Sequence, residues 1–168
     1  MASGAAAGFT DVYEGKGLPA EGRVWPLMAA APLAFAGDAA GLRRLLEAGL
    51  AAGEVFLPRQ VEGPAEPDLE ATLWFVLAGH AHGEADGEEA FVRQALLPRG
   101  KGIVQAVIAG DYGGLRMDDG GMLVAEGAAG LRMNGLWYAA LETIAEGLHA
   151  AGDRVGDHFE RLAARFRR

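Results

Sequence analysis

Apolar residues recur along most of this chain at intervals of three and four, the period of an amphipathic helix. The first helix is predicted over roughly Trp25 to Ala36, where Pro26 suits a first helical turn. Asp38 is placed to cap a second helix, whose positions Leu42, Leu45, Leu46 and Leu50 keep the period and which Gly53 ends. A loop from Glu54 to Asp68 follows, with three prolines and alternating charges. The third helix covers roughly Asp68 to His82 with the stripe Leu69, Leu73, Val76 and His80, and an acidic, glycine-containing loop from His82 to Glu88 is expected after it. A fourth helix starts near Gly87 and carries Phe91, Val92, Ala95 and Leu96. Pro98, Gly100 and Gly102 interrupt it before Ile103, Val104, Val107 and Ile108 resume, so a kink or break is expected there.

The period then changes. Gly114 to Val124 reads as a small β-hairpin, with Asp118-Asp119-Gly120-Gly121 as its turn. A fifth helix follows with Trp137, Leu141, Ile144 and Leu148 spaced 4, 3 and 4 apart, and Gly152 closes it. Asp153 or Asp157 can cap the last helix, whose stripe is Val155, Phe159, Leu162 and Phe166. The fold class is therefore mainly all-α, with about six helices joined as consecutive αα-hairpins and one small β-hairpin. Helices paired in this way bundle or wind into a solenoid or toroid. Residues 1–22, rich in glycine and without clear periodicity, are expected to form an irregular arm ahead of a helical domain over residues 23–168.

Composition narrows the function classes. The 168 residues suit one domain. A net charge of −8 argues against nucleic-acid binding. The basic cluster Arg161, Arg165, Arg167 and Arg168 alternates with core positions, as the solvated face and end of a helix does. There is no cysteine, which excludes disulfides and thiolate metal sites and suits a cytoplasmic location. The most apolar stretch, Val24 to Ala36, is short of the roughly 20 residues that span a bilayer, so no membrane segment is expected. No cofactor motif is present: Pro98-Arg-Gly-Lys-Gly102 lacks the frame of a phosphate loop. The lone serine, Ser3, lies in the N-terminal arm and does not supply a catalytic triad.

Four segments, in order, resemble the toroid domain of bacterial and archaeal glycogen-debranching enzymes. Glu54-Val-Phe-Leu-Pro-Arg59 is similar to their "GLIPNRF" segment, and Asp68-Leu-Glu-Ala-Thr-Leu-Trp-Phe75 to their "VDATLWF" helix, with Glu70 at the family's Asp. Tyr112-Gly-Gly-Leu-Arg-Met-Asp118 with Asp119-Gly-Gly-Met-Leu123 resembles "YGIRMDEDGLL", and Asn134-Gly-Leu-Trp-Tyr-Ala-Ala-Leu141 resembles "NALWYNAL". The resemblance implies half of an (α/α)6 toroid and the family activity of an inverting amylo-α-1,6-glucosidase. The departures bear on that activity. The family's segment containing "TWMDA", with its general-acid Asp, has no counterpart, since only Gly127 to Leu131 bridge the gap. Arg132 stands where the family has a Glu, Arg23-Val-Trp-Pro26 replaces its "GRDT" loop, and the region that would supply the general base is missing. Inverting glycosidases need two carboxyls about 6.5–9.5 Å apart, so no catalytic residue is assigned.

By the same resemblance Glu70, Trp74, Arg132, Asn134 and Trp137 are the candidate substrate-binding residues. Each has a plainer reading. Trp74, Trp137 and Tyr138 sit at core spacing as well as being potential sugar platforms, and Asn134 or Glu70 can fix a helix end instead of bonding a sugar hydroxyl. His80 and His82, near Glu84 and Asp86, suggest a metal site, but residues two apart on a helix do not share a face, and no metal is assigned. Asp118 and Asp119 read as turn residues beside Gly120. Three functions follow: a non-catalytic relative that binds α-glucan or a protein, an active glucosidase completed by another chain, or a purely structural helical adaptor. A six-helix half-ring exposes apolar seams, so a homodimer or a partner chain closing the helical ring is expected.

Overall fold

Two aspartates set the starts of two helices. The Asp38 carboxylate accepts the Gly41 amide at 2.9 Å, and the Asp68 carboxylate accepts the Ala71 amide at 3.0 Å; each supplies one of the first-turn N–H groups with an acceptor. In the computed structural model, residues 23–52, 55–60, 66–112, 114–125 and 130–166 are described. The expected arm over residues 1–22 lies outside them, as does Gly53. Of the described residues 72% are helical. The order is α1 (Val24–Ala34), α2 (Ala39–Ala51), α3 (Leu69–Asp86), α4 (Glu89–Phe91), a π-turn (Val92–Leu96), α5 (Leu97–Ala109), β1 (Leu115–Met117), β2 (Leu123–Ala125), α6 (Leu131–Ala150) and α7 (Val155–Phe166). The chain divides into two compact units between Val92 and Arg93.

In the first unit α3 is the central helix. Leu69, Ala71, Leu73, Phe75, Val76, Ala78 and His82 are all buried, which covers most of its circumference rather than one stripe. Helix α1 lays Val24, Leu27, Met28 and Ala31 into the core, and its main partner is α3 rather than its sequence neighbour α2. Helix α2 reaches α3 through Gly49, where a Cβ would stand 2.7 Å from the Phe75 ring. The segment after α2 is extended: Arg59 N–H donates to Glu66 C=O (2.7 Å), Asp68 N–H to Leu57 C=O (2.8 Å) and Val24 N–H to Arg59 C=O (3.0 Å). Leu57 is buried, and its amide donates to the Thr72 hydroxyl at 2.8 Å, tying the segment to α3.

The expected loop from His82 to Glu88 is helical as far as Asp86. Gly83 marks a close approach rather than a break, because a Cβ there would meet Val92 at 2.9 Å. Gly87, at φ +63°, takes the left-handed cap position and ends the helix. The expected interruption near Pro98 is the π-turn over Val92–Leu96. Pro98 lacks an N–H and its ring would crowd the carbonyl four residues back. It is accommodated at the start of α5, with the ladder shifted just ahead of it.

The second unit is built on α6 and α7, which form the most extensive helix pair in the chain. Gly152 (φ +75°) follows α6, and the Asp153 carboxylate then accepts the Val155 amide at 3.0 Å and starts α7. Leu141, Ile144, Leu148, Phe159, Leu162 and Trp137 form its core. Strands β1 and β2 pair antiparallel with Leu115 opposite Ala125, Arg116 opposite Val124 and Met117 opposite Leu123, and the hairpin packs on α5 and α6. No described helix is long and apolar enough to cross a membrane.

Candidate functional site

The first-unit candidates lie on α3. Glu70 stands in its first turn, where a negative charge suits the helix dipole, and its side chain is half-buried. Trp74 follows at i+4, one turn on and on the same face. The Trp74 ring is half-buried, and its indole N–H is buried with no acceptor among the described residues. A buried donor left without a partner costs about 1–3 kcal/mol. His80 is half-buried further along α3, and His82 is fully buried.

The second-unit candidates lie on the first turns of α6. Arg132 is exposed. Asn134 is 2% exposed and pairs with the backbone of β2: its Oδ1 accepts the Leu123 amide at 2.8 Å, and its Nδ2 donates to the Leu123 carbonyl at 3.0 Å. The side chain thus bonds like one residue of an added strand. Trp137 has no exposed surface, and its Nε1–H donates to the Gly121 carbonyl at 3.1 Å. Its ring presents no open face, so the platform reading does not hold for Trp137; the indole fastens the hairpin to α6. Tyr138 is half-buried with its ring tilted on Phe166, centroids 5.4 Å apart. Glu70 and Trp74 belong to the first unit, and Arg132, Asn134 and Trp137 to the second.

The hairpin aspartates serve the turn. Asp118 Oδ1 accepts the Met122 amide at 2.8 Å, the Asp118 amide donates to the Met122 carbonyl at 2.8 Å, and the Gly121 amide donates to the Asp118 carbonyl at 3.0 Å. Asp119 is exposed beside them. Among the described residues no group of three or more His, Asp or Glu side chains is placed to hold a metal ion.

Two charged clusters join residues far apart in the sequence. In the first unit the Arg43 guanidinium bonds Glu47 (2.9 Å) and Glu88 (2.6 Å) and lies 4.7 Å over the Phe91 ring, and the buried His82 Nε2 is 3.6 Å from the same Glu88 carboxylate. The hydrogen bond to Glu47, with the Glu88 charge beside it, holds Arg43 above its ordinary range. In the second unit Lys101 of α5 bonds Asp153, the cap of α7. That bond, with the Val155 amide, holds the Asp153 carboxyl below the usual carboxylate range. Lys101 and Asp153 lie 52 positions apart in sequence, and only the fold joins them.

No protein-family model, curated protein or solved structure matches the chain.

Proposed function

We propose that this chain is a non-catalytic domain of glycogen-debranching-enzyme type that binds α-glucan through the α3 face bearing Glu70 and Trp74. The observation that carries the reading is the buried Trp74 indole N–H, with no acceptor among the described residues, one helical turn from the Glu70 carboxylate. A glucose ring offers a hydroxyl proton to the carboxylate and C–H groups to the exposed part of the aromatic ring, and a hydroxyl oxygen to the N–H once the indole turns outward. The four ordered segments that resemble the debranching enzymes support the ligand class. The missing "TWMDA" segment supports the absence of catalysis, because general acid–base catalysis contributes about 10²–10⁴ in rate. A cytoplasmic location fits the cysteine-free composition. A homodimer, or a partner chain that closes the helical ring, belongs to the same reading.

Isothermal titration with maltooligosaccharides tests it. Saturable heat is expected from the full chain, with a clear loss in Trp74→Phe, which keeps an aromatic ring but removes the donor. Absence of binding at millimolar ligand rejects the glucan reading. A helical adaptor is the second reading, favoured by the commitment of Asn134 and Trp137 to the hairpin. It is the reading left standing if the full chain binds no maltooligosaccharide, whereas binding unchanged in Trp74→Phe would place the glucan away from this face.

A further inference from the structure

Arg154, His158, Arg161 and Arg165 follow one another at steps of 4, 3 and 4 along the last helix, and all four are exposed. At 3.6 residues per turn these positions fall within about 60° of arc and run for about 16 Å along the axis. Arg154 stands one residue ahead of α7, and its carbonyl accepts the Asp157 amide at 3.2 Å, so the turn is already formed there. The opposite face of α7 buries Phe159, Leu162 and Ala163 in the second unit. The three arginines and His158 therefore form a single file on the solvent side of a helix whose other side is anchored.

Some cations elsewhere are matched to carboxylates: Arg43 to Glu47 and Glu88, Arg59 to Glu66, and Lys101 to Asp153. Arg154, Arg161 and Arg165 have no ion pair among the described residues. Asp157, placed i, i+4 from Arg161, is turned to His149 at 3.0 Å. Arg161 and Arg165 are like charges four apart, and Arg154 at the N-terminus opposes the dipole, whereas Arg165 in the last turn suits it. An anionic partner would offset the repulsion. We propose that this face of α7 docks an acidic helix of a partner protein, with carboxylates at the matching 4, 3, 4 spacing accepting from the guanidinium forks. The spacing favours a helix as partner because a second helix repeats at the same intervals. A nucleic acid is disfavoured by the net charge of −8, which repels a long polyanion, whereas a short acidic helix feels mainly charges within about 8 Å at physiological salt. This surface is independent of the glucan face on α3.

Fluorescence anisotropy with the full chain and a labelled, stapled helical peptide bearing four glutamates at the 4, 3, 4 spacing is the experiment. Saturable binding that weakens with salt is expected. The triple variant Arg154→Glu, Arg161→Glu, Arg165→Glu should bind about tenfold more weakly or worse, the scale set by three exposed ion pairs. Arg44→Glu, an exposed reversal on α2, should change binding little. A triple Arg→Gln variant, checked by circular dichroism, gives the same comparison if the reversal disturbs folding. No binding, equal binding by the triple variant, or equal binding of a peptide with its glutamates spread around the helix would overturn the proposal. Tighter binding of an oligothymidylate of equal charge would overturn it in favour of a polyanion.

Discussion

Asn134 is the residue on which the second unit turns. Its amide satisfies both backbone groups of Leu123, which is itself 1% exposed. Asn134→Ala removes both hydrogen bonds and strands a buried N–H and C=O, each worth about 1–3 kcal/mol when left unmade. Urea unfolding should therefore register a loss of about 2–4 kcal/mol, and a change under about 1 kcal/mol would mean that water or a shifted hairpin replaces the amide. The sequence held a clue to this role: Asn134 continues the apolar stripe Trp137, Leu141, Ile144 and Leu148 three places upstream, and a polar residue on a core stripe needs a partner. The identity of that partner was not legible, because it depends on where the hairpin returns. Asp153 makes a separate prediction. Its folded-state carboxyl is depressed, first by the Lys101 hydrogen bond, so its contribution is present above the unfolded value of about 3.9 and is lost as pH falls through the folded value. Asp153→Asn should flatten the acid limb of stability below about pH 4, and an unchanged limb would show that the pair does not couple to folding.

At the scale of elements, the signals that are local in sequence came through. The caps Asp38 and Asp68, the stop at Gly152 and the hairpin around Asp118 all act within a few residues, and the structure places each where the pattern does. Helix α3 runs past the loop expected from His82 because Gly83 is ambiguous by itself: a glycine in a polar run signals a loop, but the same residue lets Val92 approach the helix. The burial of α3 on most sides was also illegible, since it reflects two helices and a strap converging on it. Of the site, the shared face of Glu70 and Trp74 follows from their i, i+4 spacing, whereas the buried state of Trp137 required its tertiary neighbours. Glycines make the contrast testable. Gly135 lies inside α6 with open space around its Cβ position, so Gly135→Ala should stabilise by about 0.5–1 kcal/mol through helix propensity. The same change at Gly49 drives a methyl to 2.7 Å from Phe75. Overpacking costs about 1–3 kcal/mol, so Gly49→Ala should destabilise despite the propensity gain. Thermal unfolding of the two variants should move Tm in opposite directions, and a shared direction would reject the close packing of α2 on α3.

At the scale of the molecule, the two units have separate cores, and this bears on how the chain folds. Residues 93–168 contain the α6–α7 pair, the hairpin bonded to α6 through Asn134 and Trp137, and α5 tied to the α7 cap through Lys101. Their core residues Trp137, Leu141, Leu148, Phe159 and Leu162 are all at least 97% buried. Domains of about 55–65 residues can fold alone when their core is complete. A cut at Arg93 falls inside the π-turn, where the helical ladder is already irregular, and Pro98 then sits near the new N-terminus, a position that proline tolerates. The fragment 93–168 should therefore show helical circular dichroism and a cooperative urea transition. Independence has a quantitative signature: sites that share no partners add to within about 0.3–0.5 kcal/mol. Asn134→Ala should lower the stability of the fragment and of the second unit in the full chain by the same amount within that margin. A fragment without a cooperative transition would show that the second unit folds only on the first, and an Asn134→Ala effect much larger in the full chain would place part of its role beyond the hairpin.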